Sequence, residues 1–153
     1  VSYVLNEGTA FFYPTEERTL TIPSTSSRVL TVGAYDATAM TYADFSGRGK
    51  ENKDNQKPDL AAPGVNVISV QGQGGYAAFT GTSFATPFAA GGAALLMEWG
   101  MIEKNDPFLY GEKAKAYLRR GARQLPGFEV WPNNQLGYGA LCVRDSIPET
   151  RLS

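Results

Sequence analysis

The sequence predicts an α/β fold, because short β-branched and apolar runs precede residue 81 and helical patterns follow it. The first helical pattern contains no charged residue between Gly81 and Met97, which is typical of a helix buried in a protein interior. A second, amphipathic pattern follows after a short polar connection. Together these observations favour a sheet packed against helices.

Strand prediction rests on short apolar runs bounded by Gly, Pro, Asn and Asp. Thr19–Ile22 is predicted to be extended, and residues 3–13 are predicted to form a hairpin around the turn signal Asn6-Glu7-Gly8. Polarity rises sharply from Asp36 to Lys57, and residues 47–57 predict a long surface excursion. The strands are expected at residues 28–35, 59–62, 65–70 and 76–80.

Two helices and a short closing helix complete the prediction. Residues 82–99 form the apolar helix, in which Pro87 is tolerable because it lies in the first turns. Residues 106–122 form an amphipathic surface helix that Asn105-Asp106-Pro107 would cap and start. A glycine turn at 137–139 leads into the closing helix.

Composition excludes several classes of function. The chain has 153 residues, 14 basic and 15 acidic residues and a net charge of -1, which argues against a nucleic-acid surface or an electrostatic membrane anchor. The basic cluster at residues 113–123 is interleaved with apolar residues and is interpreted as a solvated helix face. Val1–Leu5 has neither an initiator Met nor the length of a membrane span, so we interpret it as a chain that begins within a fold.

Ser83 is the candidate nucleophile. It follows Gly81-Thr82 at the start of the apolar helix, where free backbone N–H groups and partial positive charge stabilise an anion. Gly81 allows a sharp turn, and Thr82 is the expected N-cap. The alternative interpretation is an ordinary capped start of a core helix. The chain contains no histidine, the usual general base, which weakens any claim that it catalyses a reaction by itself.

The segment Gly81-Thr82-Ser83-x-Ala85-x-Pro87-x-x-Ala90-Gly91 resembles the serine motif of the subtilases, the subtilisin-like serine proteases. Further segments match that family in the same order, and the resemblance covers roughly residues 19–146. Phe88 stands where many relatives carry a non-catalytic histidine. The other matching segments are 29–36, Phe45-Ser46-x-x-Gly49, Lys57–Val65, Tyr76–Thr82 and Gly137-Tyr138-Gly139.

The resemblance implies that residues 1–153 are the C-terminal portion of a subtilisin-like peptidase domain. The expected fold is the C-terminal half of a doubly wound parallel sheet with a central buried helix. Ser83 would be the nucleophile of a serine endopeptidase, and the His and Asp of its triad would precede Val1. The expected partners are a protein or peptide substrate and the N-terminal part of the same protease, with no nucleic acid or membrane. The isolated chain should be inactive.

The resemblance also implies substrate-binding residues at Thr21, Ile22, Pro23 and Thr82, with Ile22-Pro23 as a candidate cis bond. Asn6 has the Asn-x-Gly context of the family's oxyanion asparagine, but a hairpin turn explains the same residues. No cofactor or metal is expected, since Asp36, Asp44, Asp54 and Asp59 do not have the spacing of a metal loop.

Residues 19–25 and 106–113 are similar to the clostridial Csp-type subtilases, germination proteases that activate a cortex-lytic enzyme. This similarity implies a secreted or spore-associated bacterial protein. Two other hypotheses stay open: an inactive pseudoprotease that binds or regulates partners, and a stand-alone interaction domain. Against the last, we expect an exposed sheet edge and an exposed apolar face where a missing half would pack.

Overall fold

The computed structural model describes residue 8, residues 10–50 and residues 55–148. A π-helical turn at Glu98–Ile102 continues the α-helix that ends at Met97. The strands are β1 (Val32–Asp36), β2 (Thr41–Tyr42), β3 (Leu60–Pro63), β4 (Val67–Val70) and β5 (Tyr76–Phe79). The helices are α1 (Thr82–Met97), α2 (Glu112–Arg120) and α3 (Val143–Ser146).

The strands form a mixed sheet and a separate hairpin, so the α/β prediction is confirmed. In the sheet, β1 lies between β2 and β3. Strands β1 and β3 are parallel, with Val32 opposite Leu60, whereas β2 pairs antiparallel with the end of β1. Strands β4 and β5 form the antiparallel hairpin that leads into α1.

The two faces of the sheet pack against different parts of the chain. Successive side chains of a strand point to opposite faces. Leu60 therefore packs in one cluster with the α1 residues Ala89 and Leu96, while its neighbour Ala61 packs with Leu125 and Leu136 on the other side. The segment between α2 and α3 thus covers the face opposite α1.

Helix α1 is buried along one stripe. Its buried residues Ala85, Ala89, Gly92 and Leu96 recur at helical spacing and face the sheet. On the other side, Phe88 is 44% exposed and Leu95 is 56% exposed. The sequence predicted a helix apolar on every side and buried throughout; the described residues cover only its sheet-facing side, so the expected exposed apolar face is present.

Helix α2 is shorter than the predicted helix at 106–122. Asp106-Pro107 begins a turn in which the N–H of Leu109 donates to the Asp106 carbonyl at 3.0 Å. Leu109 is fully buried by this turn. Helix α2 then begins after Gly111, whose φ of 56° does not continue a helix. Its amphipathic character is as predicted, since Ala114 and Leu118 are buried.

The polar residues 36–57 are not all on the surface, since Gln56 and Lys57, at the end of the predicted surface excursion 47–57, are buried. Strand β2 lies within residues 36–57, with Tyr42 opposite Tyr35. Ser46 is buried, and its hydroxyl accepts a hydrogen bond from the Ala34 N–H at 2.9 Å. Backbone pairing and one buried hydroxyl therefore order the first part of this segment.

The N-terminal predictions have different outcomes. Thr19–Ile22, expected to be extended, is not part of a strand and leads into a turn at residues 22–25. Of the hairpin predicted over residues 3–13, the first strand and Asn6 lie outside the described part of the chain, as does Asp54. Residues 10–13, the expected second strand, form no strand.

Candidate active site

Gly81 sets the start of helix α1. Its φ of 153° and ψ of 158° lie in a region that only glycine adopts without strain. The N-cap is therefore Gly81, and the prediction that Thr82 caps the helix is wrong. Thr82 is the first helical residue, and its carbonyl accepts a hydrogen bond from the Thr86 hydroxyl at 3.0 Å. Ser83 follows in the same turn and is exposed.

A glycine contact ties this turn to the sheet. Gly64 follows β3 directly, and its N–H donates to the Tyr35 carbonyl near the end of β1 at 3.0 Å. The Gly64 carbonyl accepts the N–H of Gly81 at 2.8 Å. A Cβ on Gly64 would lie 2.6 Å from the Cβ of Ala34, so no larger residue fits. Ser83 is thereby held near the carboxyl ends of the parallel strands, where α/β proteins bind ligands.

The electrostatics of the Ser83 turn suit a developing anion. Helix geometry leaves the first backbone N–H groups of α1 without intrahelical acceptors, and the helix dipole adds partial positive charge there. Phe84 stacks on Phe79 of β5, with ring centroids 5.0 Å apart. This contact packs one side of the turn against β5. The sequence contains no histidine, the usual base for a serine hydroxyl.

A cavity of about 960 Å³ adjoins the first turn of α1. Thr21, Pro23 and Thr82 line it, so three of the predicted substrate-binding residues meet there. Ile22 does not belong to the described lining, and its side chain is 71% exposed. Ser83 also lies outside the described lining, one residue beyond Thr82. The Ile22–Pro23 bond is cis, as predicted.

Asp59 forms a buried charge cluster that the sequence did not reveal. Its carboxylate is 0% exposed and accepts hydrogen bonds from Lys57 Nζ and Arg119 Nε, each at 2.8 Å. Lys115 Nζ lies 3.8 Å from the same carboxylate. The guanidinium of Arg119 also lies over the ring of Tyr138, 5.0 Å from its centroid.

This cluster corrects the interpretation of the basic segment 113–123 as a solvated helix face. Lys113 is largely solvated, but the side chain of Lys115 is only 6% exposed and that of Arg119 only 22% exposed. Burial lowers the pKa of Lys57 below its usual 10.5, against the opposing effect of its hydrogen bond to Asp59. The signal available in the sequence was Lys57-Pro58-Asp59, a charged pair placed directly before a buried strand.

The described part of the chain lacks both a metal-binding cluster and a membrane-spanning helix. Residues 8, 10–50 and 55–148 contain no group of three His, Cys, Asp or Glu side chains placed to hold a metal ion. Within the same residues, no helix has the length and hydropathy needed to cross a membrane.

An exposed serine in the first turn of a helix, at the carboxyl ends of parallel strands, is an arrangement that α/β serine proteases share. The model of the subtilase family, Peptidase_S8, matches residues 6–139. The chain belongs to the subtilase family.

Relatives and solved structures agree with this assignment. The chain is 33% identical to the serine protease AprX of Bacillus subtilis (strain 168), over 87% of this chain and 33% of AprX. It is 44% identical to the PII-type proteinase of Lactococcus lactis subsp. cremoris, over 66% of this chain and 5% of that protein. The structure of the Clostridium perfringens CspB protease superposes with a TM-score of 0.87 at 45% identity, covering 93% of this chain and 30% of that chain. The prenylagaramide maturation protease PagA has a TM-score of 0.69 at 29% identity, covering 86% of this chain and 46% of that one.

The chain therefore spans about a third of the length of AprX and of the CspB structure. Other relatives are a cell wall-associated protease and the minor extracellular protease Vpr, both of Bacillus subtilis (strain 168).

Proposed function

We propose that this chain supplies the nucleophile of a serine endopeptidase that cleaves protein or peptide substrates. The observation that carries the proposal is the position of Ser83, exposed in the first turn of α1 and held by Gly64 and Gly81 at the carboxyl ends of β1 and β3. Membership of the subtilase family supports it. The names of the extracellular and cell-wall relatives favour a secreted bacterial protein.

In the proposed reaction, the Ser83 oxygen attacks the substrate carbonyl carbon while a histidine takes its proton and an aspartate orients that histidine. The Ser83 N–H, at the positive end of α1, would donate to the oxyanion. A second donor would be an asparagine amide; Asn6, outside the described residues, remains one candidate. Thr21, Ile22, Pro23 and Thr82 are proposed to contact the substrate. The leaving amine receives the proton from the histidine, and water completes the cycle by hydrolysing the acyl-enzyme.

The histidine and aspartate are proposed to lie in an N-terminal part of the same protease, which packs on the exposed face of α1. That face forms one side of an apolar groove of about 550 Å³, with strand β4 on the other side. Phe88 and Leu95 line the groove, and both are substantially exposed. An apolar groove of this kind is typical of a surface that a partner covers. Without that part, the chain is expected to be inactive.

The nucleophile is tested on the full-length protein with a fluorophosphonate probe. The probe should label wild-type protein at Ser83, and Ser83→Ala should abolish labelling and peptide hydrolysis. Thr38→Ala, which removes an exposed hydroxyl from the turn after β1, is the matched control and should label like wild type. Labelling that persists in Ser83→Ala would reject the assignment, and absent labelling of the wild type would favour the pseudoprotease hypothesis.

The groove is tested by expressing the preceding part of the protein separately and measuring its binding to residues 1–153. Wild-type chain should bind and restore hydrolysis, whereas Leu95→Glu should weaken binding because it places a charge in an apolar contact. Phe108→Glu is the control, since Phe108 is exposed and does not belong to the groove lining. Equal loss in both variants would contradict the proposed docking surface.

A further inference from the structure

Residues 24–31 connect the cavity wall to the sheet. The wall residue Pro23 precedes this loop, and Thr31 ends it directly before β1. Four residues of the loop line the cavity as well: Ser24, Val29, Leu30 and Thr31. The Thr31 hydroxyl donates back to the Ser24 carbonyl at 2.6 Å. The Thr31 N–H donates to Asp59 Oδ2, also at 2.6 Å. One buried threonine therefore links the two ends of the loop and attaches them to the charge cluster.

Two buried ammonium groups hold the middle of the same loop. Lys57 Nζ donates to the Val29 carbonyl at 2.7 Å, and Lys115 Nζ donates to the Ser27 carbonyl. Lys57 Nζ also lies 2.8 Å from Asp59 Oδ2, and Lys115 Nζ lies 3.8 Å from Asp59 Oδ1. Each lysine therefore bridges a loop carbonyl and the buried carboxylate.

These contacts are of a kind that holds a loop in one conformation. Hydrogen bonds with a charged donor are stronger than neutral ones, and burial reduces their screening by water. The loop has no regular secondary structure of its own apart from turns. Its shape is therefore set mainly by side chains that reach it from the segment before β3 and from α2.

We propose that Lys57 and Lys115 are positioning residues for substrate binding, and that Asp59 orients both. They hold residues 24–31, part of which lines the cavity, and this loop in turn fixes the lining residues Thr21 and Pro23. This inference rests on the proposed peptidase function of the cavity. The lysines would not touch the substrate or Ser83; they would determine how well the cavity wall accepts the substrate side chain on the amino side of the scissile bond.

The kinetic consequence is a selective loss of substrate binding. Because the loop is separate from the Gly64–Gly81 contact that holds Ser83, loosening it should raise KM and leave kcat nearly unchanged. The effect should be largest for substrates with a large side chain at the residue preceding the scissile bond. Substrates with glycine at that position do not use the cavity wall and should be cleaved almost as before.

The first test compares Lys115→Met with Lys113→Met in the full-length protein. Both variants remove one ammonium group from α2, but Lys113 pairs with Asp106 at 2.7 Å and does not reach the loop. Lys115→Met should raise KM for large-side-chain peptides about 10-fold, which by RT ln 10 is a modest loss of binding. Lys113→Met should behave like wild type. Equal KM values in the two variants, or a loss that falls on kcat, would overturn the proposal.

The second test measures amide hydrogen exchange and does not depend on activity. Lys115→Met and Thr31→Val should both speed exchange in residues 24–31 and leave the amides of α1 unchanged. Thr31→Val serves if Lys115→Met fails to fold, since it removes the hydroxyl that donates to the Ser24 carbonyl and accepts from Lys57 Nζ at 3.1 Å. Unchanged amide exchange in residues 24–31 would overturn the proposal that the lysines hold this loop. If the wild type cleaves no peptide but amide exchange changes as expected, the peptidase proposal fails, and the role of the lysines in holding the loop is still supported.

Discussion

Replacing Asp59 by asparagine should destabilise the protein more than any single surface charge change. The substitution keeps the shape of the side chain but removes the negative charge that faces Lys57, Lys115 and Arg119. Asp59 is fully buried, and the two lysine side chains are each 6% exposed, so water cannot replace the lost carboxylate. Removing one partner of a buried ion pair typically costs about 3–5 kcal/mol.

That loss is large compared with the total free energy of unfolding of a domain. Domains are stable by about 5–15 kcal/mol, so the variant would lose a substantial part of its free energy of unfolding. With a urea m value of about 2 kcal/mol/M, a loss of about 4 kcal/mol lowers the unfolding midpoint by about 2 M. The assay is urea unfolding of the full-length protein followed by circular dichroism.

The matched control is Asp145→Asn. Asp145 pairs with Arg123 at 2.6 Å, but the two side chains are 40% and 59% exposed. Exposed pairs contribute little because water screens them, so this midpoint should stay close to that of wild type. If both asparagine variants shift the midpoint equally, or Asp59→Asn leaves it unchanged, then burial does not give the Asp59 cluster its importance.

Two further predictions follow from single contacts. Gly64→Ala would place a Cβ 2.6 Å from the Cβ of Ala34 and displace the serine turn, lowering kcat by about 10- to 100-fold in peptide hydrolysis; Gly72→Ala, where no described heavy atom lies within 4 Å of an added Cβ, should have no effect. The hydrogen bond from Lys113 holds the pKa of Asp106 below its usual 3.8, so the stability from this carboxylate is complete above pH 3.8 and is lost as pH falls through the lowered value. Asp106→Asn should therefore flatten the fall in unfolding midpoint below pH 4, measured by thermal unfolding, and a fall as steep as wild type would contradict the assignment.

The sequence predicted those helices and strands whose formation depends on a few neighbouring residues. The apolar run predicted α1 closely, and the short apolar runs predicted β3, β4 and β5, because hydrophobic periodicity and the preceding turn residues act over a few positions. The start of α2 was misplaced because Asp106-Pro107 is a sound helix signal that also begins a tight turn. Gly111 decides between the two outcomes through its positive φ.

The candidate site likewise has features that the sequence predicted and features that it did not. Gly81-Thr82-Ser83 could be recognised in the sequence because the three residues are contiguous, and the resemblance of the surrounding segments to subtilases supported it. The capping role of Thr82 could not be decided, since glycine or threonine can end the turn and only the backbone angles of Gly81 show which residue does.

The sequence by itself determined the fold class, the family and the serine on which the proposed activity depends, because each of these is written in contiguous or regularly spaced residues. Only the tertiary structure showed that Asp59 meets Arg119, 60 positions further along the chain, and that Lys115 reaches the carbonyl of Ser27. Charged residues on a helix look alike in a sequence whether water or a buried carboxylate faces them. The packing of α2 against the end of the sheet decides which of them lose their water, and with it which ones order the loop beside the cavity.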